Sequence, residues 1–381
     1  MQDTPGAAVD ERFFLELAQP AIRGLKAYDP GHDLVALRRR FAGRLLVELG
    51  SNENPHGPSP RAREAVAAVL GELHRYPDPL GGDLRRALAA RHGVGTGAIL
   101  LGNGSHELLM QFGQAFAGPD AGIVMSQYGF AVYAIAAMAT GAPLVQAPAL
   151  PREHAMPRGH DLDAIAAAIT PGTRLVYLAN PNNPTGTWYG ADAFRAFMAR
   201  VPRGVIVVVD EAYAEFVDAP DYASALELLP SHPNLVVTRT FSKAHALAGL
   251  RVGYAVAHPG FVAVMERLRE SFNVNMAALA AAEASLADDE HLAEGVRLNA
   301  ERRARLAEEL RRRGLFVYPS QTNFLLVEFG PGTDAVERRL LEAGVVVRPM
   351  GGYGLPECLR ITVGDERGNA RLLQVLDGVR A

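Results

Sequence analysis

Four times between residues 173 and 257 the chain returns to a short, almost unbroken apolar run: TRLVYLAN (173–180), GVIVVVDEA (204–212), NLVVTRT (234–240) and VGYAVA (252–257). A strand with one wet face alternates apolar and polar positions. These runs do not alternate, so each is predicted to be a strand covered on both faces. Helical patterns such as Ala191 to Arg200 lie between them. Residues 48–272 therefore read as one α/β domain, with a mostly parallel central sheet between two layers of helices.

The last third changes character. A small-residue helix is expected over Ala277 to Ala287, and a long charged one over His291 to Arg313, stopped by Gly314. Then come LFVYPS, NFLLVEF, a helix over about 334–343, VVVRPM, CLRITV and a final helix. This is a second, smaller α/β domain over residues 273–381, with residues 1–47 packed on it or on a partner chain. Gly129 to Val145 carries no charge, but it is shorter than the ~20 residues of a membrane span and is broken by Gly141 and Pro143. A buried helix followed by a turn is expected there. No internal repeat or long run of one charge sign interrupts the chain.

At roughly 150 residues per domain, 381 residues imply two or three domains. The 49% hydrophobic content is enough for a sizeable core. A net charge of −4 gives no general attraction to nucleic acid or anionic membrane, and neither is expected as a partner. Cys358 is the single cysteine, so an intramolecular disulfide is impossible and no thiolate metal site can form; no metal is expected. The setting PECLRI makes Cys358 a structural residue, and one unpaired cysteine fits a reducing cytoplasm. The first residues lack a basic stretch followed by an apolar one, so no secretion signal is expected.

The candidate chemistry sits where the apolar runs end. In open α/β sheets, ligands bind beyond the carboxyl ends of the strands. Asp210 closes the run GVIVVVD, and Tyr213 follows it. Asp210 is either a helix cap or a desolvated carboxylate paired with a cationic ligand group. NPNNPTG (180–186) is either a plain turn or a rigid mount for an asparagine side chain. LLGNGSHELL runs from strand to helix with Glu107 where a dinucleotide fingerprint would have its third glycine, and its free N–H groups would suit a phosphate. Lys243, in TFSKAHALAGLRVGY, sits among small residues just past a strand, with Arg251 after seven intervening residues. A lysine in a dry pocket loses its proton readily and becomes a nucleophile. Ser242 and Arg251 could hold an anion. A carboxylate, a dry lysine, a phenol and an anion site together match what pyridoxal phosphate requires.

The set SNENPHGPSP, RYPDP, GNGSHE, NPNNPTG, DEAY, FSKAHALAGLRVGY and RPM…LRITVG resembles the fold-type I pyridoxal-phosphate aminotransferases over nearly the whole chain, and is most similar to their histidinol-phosphate branch. The resemblance implies that Lys243 holds the cofactor and that Asp210 keeps its ring nitrogen protonated. It implies Asn183 and Tyr213 on the ring oxygen, and Gly104, Ser105, His106 (through its backbone), Ser242 and Arg251 around the phosphate. Tyr128 would stack on the ring. Tyr76 would reach the neighbouring subunit's cofactor in a homodimer with shared sites. Arg360 would bind the substrate's anionic end, with Arg348, Tyr28 and Asn52 of SNENP helping to select it. The chain departs from the family at His106, often acidic there, and at Ser271, often proline.

The implied reaction is a ping-pong amino transfer between L-histidinol phosphate and 2-oxoglutarate, with Lys243 as general base. An aromatic amino-acid aminotransferase and a phosphothreonine-type decarboxylase share the scaffold and would differ at Tyr28, Arg348 and the N-terminal segment. A cofactor-sensing regulator is a further alternative, but such proteins usually append a DNA-binding domain.

Overall fold

The computed structural model describes residues 11–25 and 32–379. Its central sheet has seven strands, in the spatial order Ile99–Gly102, Gly253–Ala257, Leu235–Thr240, Ile206–Asp210, Thr173–Ala179, Gly122–Ser126 and Leu144–Ala147. Gly253–Ala257 runs antiparallel to both its neighbours, and the other pairings along the sheet from Leu235–Thr240 to Leu144–Ala147 are parallel. The apolar pattern did not distinguish this strand. It reverses because the chain turns straight back after Thr240, with Phe241 N donating to Val252 O at 3.1 Å, and no helix crosses over.

The unbroken apolar runs are explained by two separate cores. Leu175, Tyr177, Val208 and Val236 face one core, packed under helices Ser105–Phe116, Ala131–Thr140 and Pro259–Met265. The intervening Val176, Leu178, Val207, Val209, Leu235 and Val237 face another, under Leu162–Ala167 and Ala191–Met198. Ile99, Leu101 and Val256 continue that second face under Pro60–Val69, Gly82–His92 and Met276–Leu286. Both side-chain sets of each strand are buried, at about 1.5–3 kcal/mol for each full-size aliphatic group. The result is the expected three-layer α/β fold.

A smaller antiparallel sheet follows, in the order Arg348–Pro349, Cys358–Thr362, Phe324–Glu328, Phe316–Val317. Helix Asp289–Arg312 contributes Leu306 and Leu310 to its core, and the last helix, Glu366–Val379, contributes Leu372 and Leu376. Val47–Glu48 pairs with Val345–Val346, and Leu49 O accepts from Thr362 N at 2.8 Å. Glu48 and Leu49, expected with the large domain, are thus tied to the smaller unit. Cys358 is buried in its strand. The segment after Gly129 forms helix Ala131–Thr140, then a turn, and continues into the strand Leu144–Ala147, where only the helix and turn were expected. No helix among the described residues is long and apolar enough to cross a membrane.

Candidate active site

At the carboxyl ends of Thr173–Ala179, Ile206–Asp210 and Leu235–Thr240 lies a cleft of about 330 Å³. Its floor is Asp210, only 6% exposed. Asp210 Oδ2 accepts from Tyr133 Oη at 3.1 Å and Oδ1 from Thr238 Oγ1 at 3.2 Å. Burial pushes its pKa up to about 6, and these two hydroxyls oppose the rise.

Lys243 reaches the same cleft from the loop after Thr240. Its Nζ donates to Ser51 O at 3.3 Å and Asn52 O at 3.1 Å. Lost hydration first, and the Arg360 guanidinium second, lower its pKa to about 7. Near neutral pH a large share of the amine is therefore unprotonated, as nucleophilic work requires.

An anion cradle adjoins the lysine. Gly104 caps helix Ser105–Phe116 at φ 78°, ψ 159°, a conformation that glycine adopts freely. A Cβ there would stand 2.5 Å from Arg251 Nη2, and one on Gly253 would stand 2.5 Å from Ser105 N. The two glycines thus let the helix N-terminus, with its unpaired N–H groups and positive dipole end, come up against the arginine loop. Arg251 Nη1 donates to Ser242 Oγ at 3.3 Å. His106 lines the cleft, and partial loss of hydration, then Arg251, lower its pKa. Glu107 closes the loop by accepting from Asn103 N at 2.6 Å and Asn273 Nδ2 at 2.8 Å, which is the role it plays in place of a third glycine.

The segment SNENP straps the smaller unit to the lysine. Asn52, at φ 55°, accepts on its backbone O from Lys243, while its N donates to Thr362 Oγ1 at 2.9 Å and its Nδ2 donates to Tyr213 Oη at 2.9 Å. Asn54 Nδ2 donates to Lys243 O and Ala244 O. Across the cleft, Arg360 Nη1 donates to Asn183 Oδ1 at 2.7 Å and Nη2 to Gly50 O at 2.9 Å. Asn183 thus keeps its Nδ2 as a donor end. Arg348 sits directly opposite Arg360 across the antiparallel pair, and both line the cleft.

Lys243, Asp210, Tyr213, Ser105, His106, Asn183, Ser242, Arg251, Asn52, Arg348 and Arg360 all line this one cleft, and Gly104 abuts it. Two further candidates, Tyr128 and Tyr76, are not in this lining. Tyr128, in the turn before helix Ala131–Thr140, lines an adjoining pocket that shares Arg348 and Tyr353 with the cleft, and it is partly buried against the cluster of Tyr318 and Met350. The aromatic side chains of that segment that line the cleft itself are Phe130 and Tyr133. Tyr76 lies outside the cleft, 79% exposed and stacked on Phe272 at 4.6 Å, next to the exposed turn that holds Ser271. Tyr28 lies outside the described residues. Tyr133, Thr238 and Tyr353 were missed. Only the aromatic clustering in SQYGFAVY could have pointed to the first.

A low-pKa lysine facing a buried carboxylate, with an anion cradle beside them at the strand ends, defines a three-layer α/β enzyme built for covalent amine chemistry. The chain belongs to the family Aminotransferase class I and II, whose model matches residues 45–376. Among its relatives, the histidinol-phosphate aminotransferase 1 of Nitrosococcus oceani is 45% identical over 97% of this chain and 98% of its own length. The histidinol-phosphate aminotransferase 2 of Pseudomonas aeruginosa is 46% identical, covering 97% and 99%. The crystal structure of the Sinorhizobium meliloti histidinol-phosphate aminotransferase in complex with pyridoxal-5'-phosphate superposes with a TM-score of 0.86 at 32% identity, covering 95% of this chain and 98% of that one.

Proposed function

We propose that this chain is a pyridoxal-phosphate-dependent histidinol-phosphate:2-oxoglutarate aminotransferase of histidine biosynthesis. The observation that carries the reading is the convergence of Lys243, Asp210 and the Gly104–Ser105–Arg251 cradle on one cleft. These residues fit the cofactor: the cradle would take its phosphate, the carboxylate its ring nitrogen, Asn183 and Tyr213 its ring oxygen, and the face of Phe130 its ring. Bound there, the cofactor supplies an aldehyde that exchanges amines and a ring that withdraws electrons from the substrate carbon.

The protein's own part follows from its geometry. Lys243, through Nζ, would be the residue that holds the cofactor. The same amine, its pKa lowered by burial and Arg360, would serve as the general base for the substrate proton. Arg360 and Arg348 bind the phosphate of histidinol phosphate in one half-reaction and a carboxylate of 2-oxoglutarate in the other. Both anions suit the planar guanidinium fork. The relatives named above act on histidinol phosphate by their names, and this chain shares their length and close to half of their residues.

The homodimer belongs to the same proposal. The exposed Tyr76–Phe272 pair is an apolar surface that a second copy would cover, carrying Tyr76 to the partner's site. Its one cysteine, unpaired, suits a cytoplasmic enzyme. The test is a set of half-reactions on the loaded protein with L-histidinol phosphate, L-glutamate and L-phenylalanine, each followed by cofactor absorption. Histidinol phosphate and glutamate should convert the cofactor fully, and phenylalanine far more slowly. Faster conversion by phenylalanine would shift the assignment to an aromatic aminotransferase, and no conversion by any amine would leave only a cofactor-binding protein.

A further inference from the structure

Two hydroxyl groups hold the floor of the cleft, and no sequence motif marked either. Tyr133 comes from helix Ala131–Thr140 and is fully buried. Its ring lies flat on Tyr177, with centroids 4.9 Å apart and planes 3° from parallel, and Tyr177 Oη is itself anchored to Leu109 O at 2.8 Å. The stacked Tyr177 ring holds the Tyr133 ring in place, and Tyr133 Oη donates to Asp210 Oδ2. Thr238, fully buried in the neighbouring strand, donates to the other oxygen. Pure packing would be satisfied by phenylalanine and valine at these two positions. What the hydroxyls add is directed at one carboxylate.

We propose that Tyr133, seconded by Thr238, is a positioning residue that keeps Asp210 ionised and turned toward the cleft, as the counter-charge of the cofactor's ring nitrogen. This rests on the reading above, in which the ring nitrogen meets Asp210. An ionised carboxylate accepts at about four lone-pair positions, so Tyr133, Thr238 and the Ala212 backbone N–H leave room for a fourth donor. Donors to the charged form favour it, and here they oppose the rise that burial imposes. Without the phenol, Asp210 holds a proton more tightly. A protonated Asp210 would no longer be the counter-charge that keeps the ring nitrogen protonated. Glu211, the adjacent carboxylate, pushes the same way, but its charge is engaged by Arg239 at 2.6 Å.

The experiment loads the full-length protein with pyridoxal phosphate labelled with ¹⁵N in the ring and records the ring-nitrogen resonance at pH 8. Wild type should show a protonated nitrogen. Tyr133→Phe should move the resonance toward the neutral value and lower kcat about tenfold with KM little changed, the size of one lost hydrogen bond to a charged group. Thr238→Val should move it the same way by less. Tyr177→Phe, which removes a hydroxyl from the same stack but not from Asp210, should leave it in place. If Tyr133→Phe does not fold, Thr238→Val decides. A protonated resonance retained in the folded variants overturns the positioning role. An unprotonated nitrogen in the wild type overturns the Asp210 assignment itself, a separate result.

Discussion

The two ends of the cleft are built differently. At the cofactor end, groups come from short stretches of sequence on a rigid sheet, and each has a fixed partner. Asp210 is bracketed by Tyr133 and Thr238, Arg251 bonds Ser242, and Glu107 ties the loop before Ser105. At the substrate end, Arg348 and Arg360 face each other across two antiparallel strands, 12 residues apart in sequence but directly opposed in register. Arg360 is held there by Asn183 Oδ1 and Gly50 O, so its guanidinium is positioned before an anion arrives. The first end is set by contacts around the large sheet, while the second is set by contacts that reach from the smaller sheet to Asn183 and Gly50. Changes at the cofactor end should therefore cost turnover, and changes at the substrate end should cost binding.

The largest effect tests the first half of that contrast. Lys243→Ala removes both the nucleophile and the general base, and transamination should fall by about 10⁴-fold or more. Steady-state turnover checks it, and appreciable remaining activity would sink the assignment of Lys243. The next tests the second half. Arg360→Lys keeps the charge but loses the fork that spans Asn183 and Gly50. The KM for histidinol phosphate and for 2-oxoglutarate should each rise about 10–100-fold, with kcat changed much less. A rise for one substrate alone would break the idea of a shared anion site.

The contrast also governs what was legible in the sequence. The strands Thr173–Ala179, Ile206–Asp210 and Leu235–Thr240 announced themselves because burial on both faces leaves no polar alternation to hide them. Lys243 and Asp210 were legible because strand ends in such sheets are where chemistry sits. The direction of Gly253–Ala257 was not, since an apolar run looks the same in either orientation. Nor was the placing of Tyr128, Phe130 and Tyr133, because it depends on where one helix begins: at Ala131, which buries Tyr133 and leaves Tyr128 in the turn before it, lining an adjoining pocket. Thr238 looked like any position in an apolar strand. The opposition of Arg348 and Arg360, and the place of Tyr353 beside them, exist only once the smaller sheet pairs.

A smaller effect is set by pH. The Lys243 pKa drops from the usual 10.5 to about 7 in the folded protein. Capture of pyridoxal phosphate by the cofactor-free protein needs the neutral amine. Its rate should be level above about pH 8 and fall roughly tenfold per unit well below 7. Between about pH 7 and 10.5 the unfolded chain holds the lysine proton and the folded one does not, so stability rises with pH across that window. Lys243→Met should flatten that rise, measured by chemical denaturation at several pH values; an unchanged slope would place the low pKa elsewhere.

The smallest effect probes how much of the cradle's organisation is backbone alone. Glu107 takes an N–H from Asn103 and an amide from Asn273, but it lies outside the cleft lining. Glu107→Ala should lower stability by about 1 kcal/mol, the usual worth of a bond at a helix start. It should weaken cofactor affinity only a few-fold, because the N–H groups of Ser105 and His106 and the Arg251 guanidinium remain. Glu107→Gln, which still offers an oxygen, should lie between the two. Cofactor titration by fluorescence, paired with thermal melting, separates the terms. A loss of affinity far exceeding the loss of stability would show that the loop is held in register by this carboxylate, and that the cofactor end is less self-sufficient than its contacts suggest.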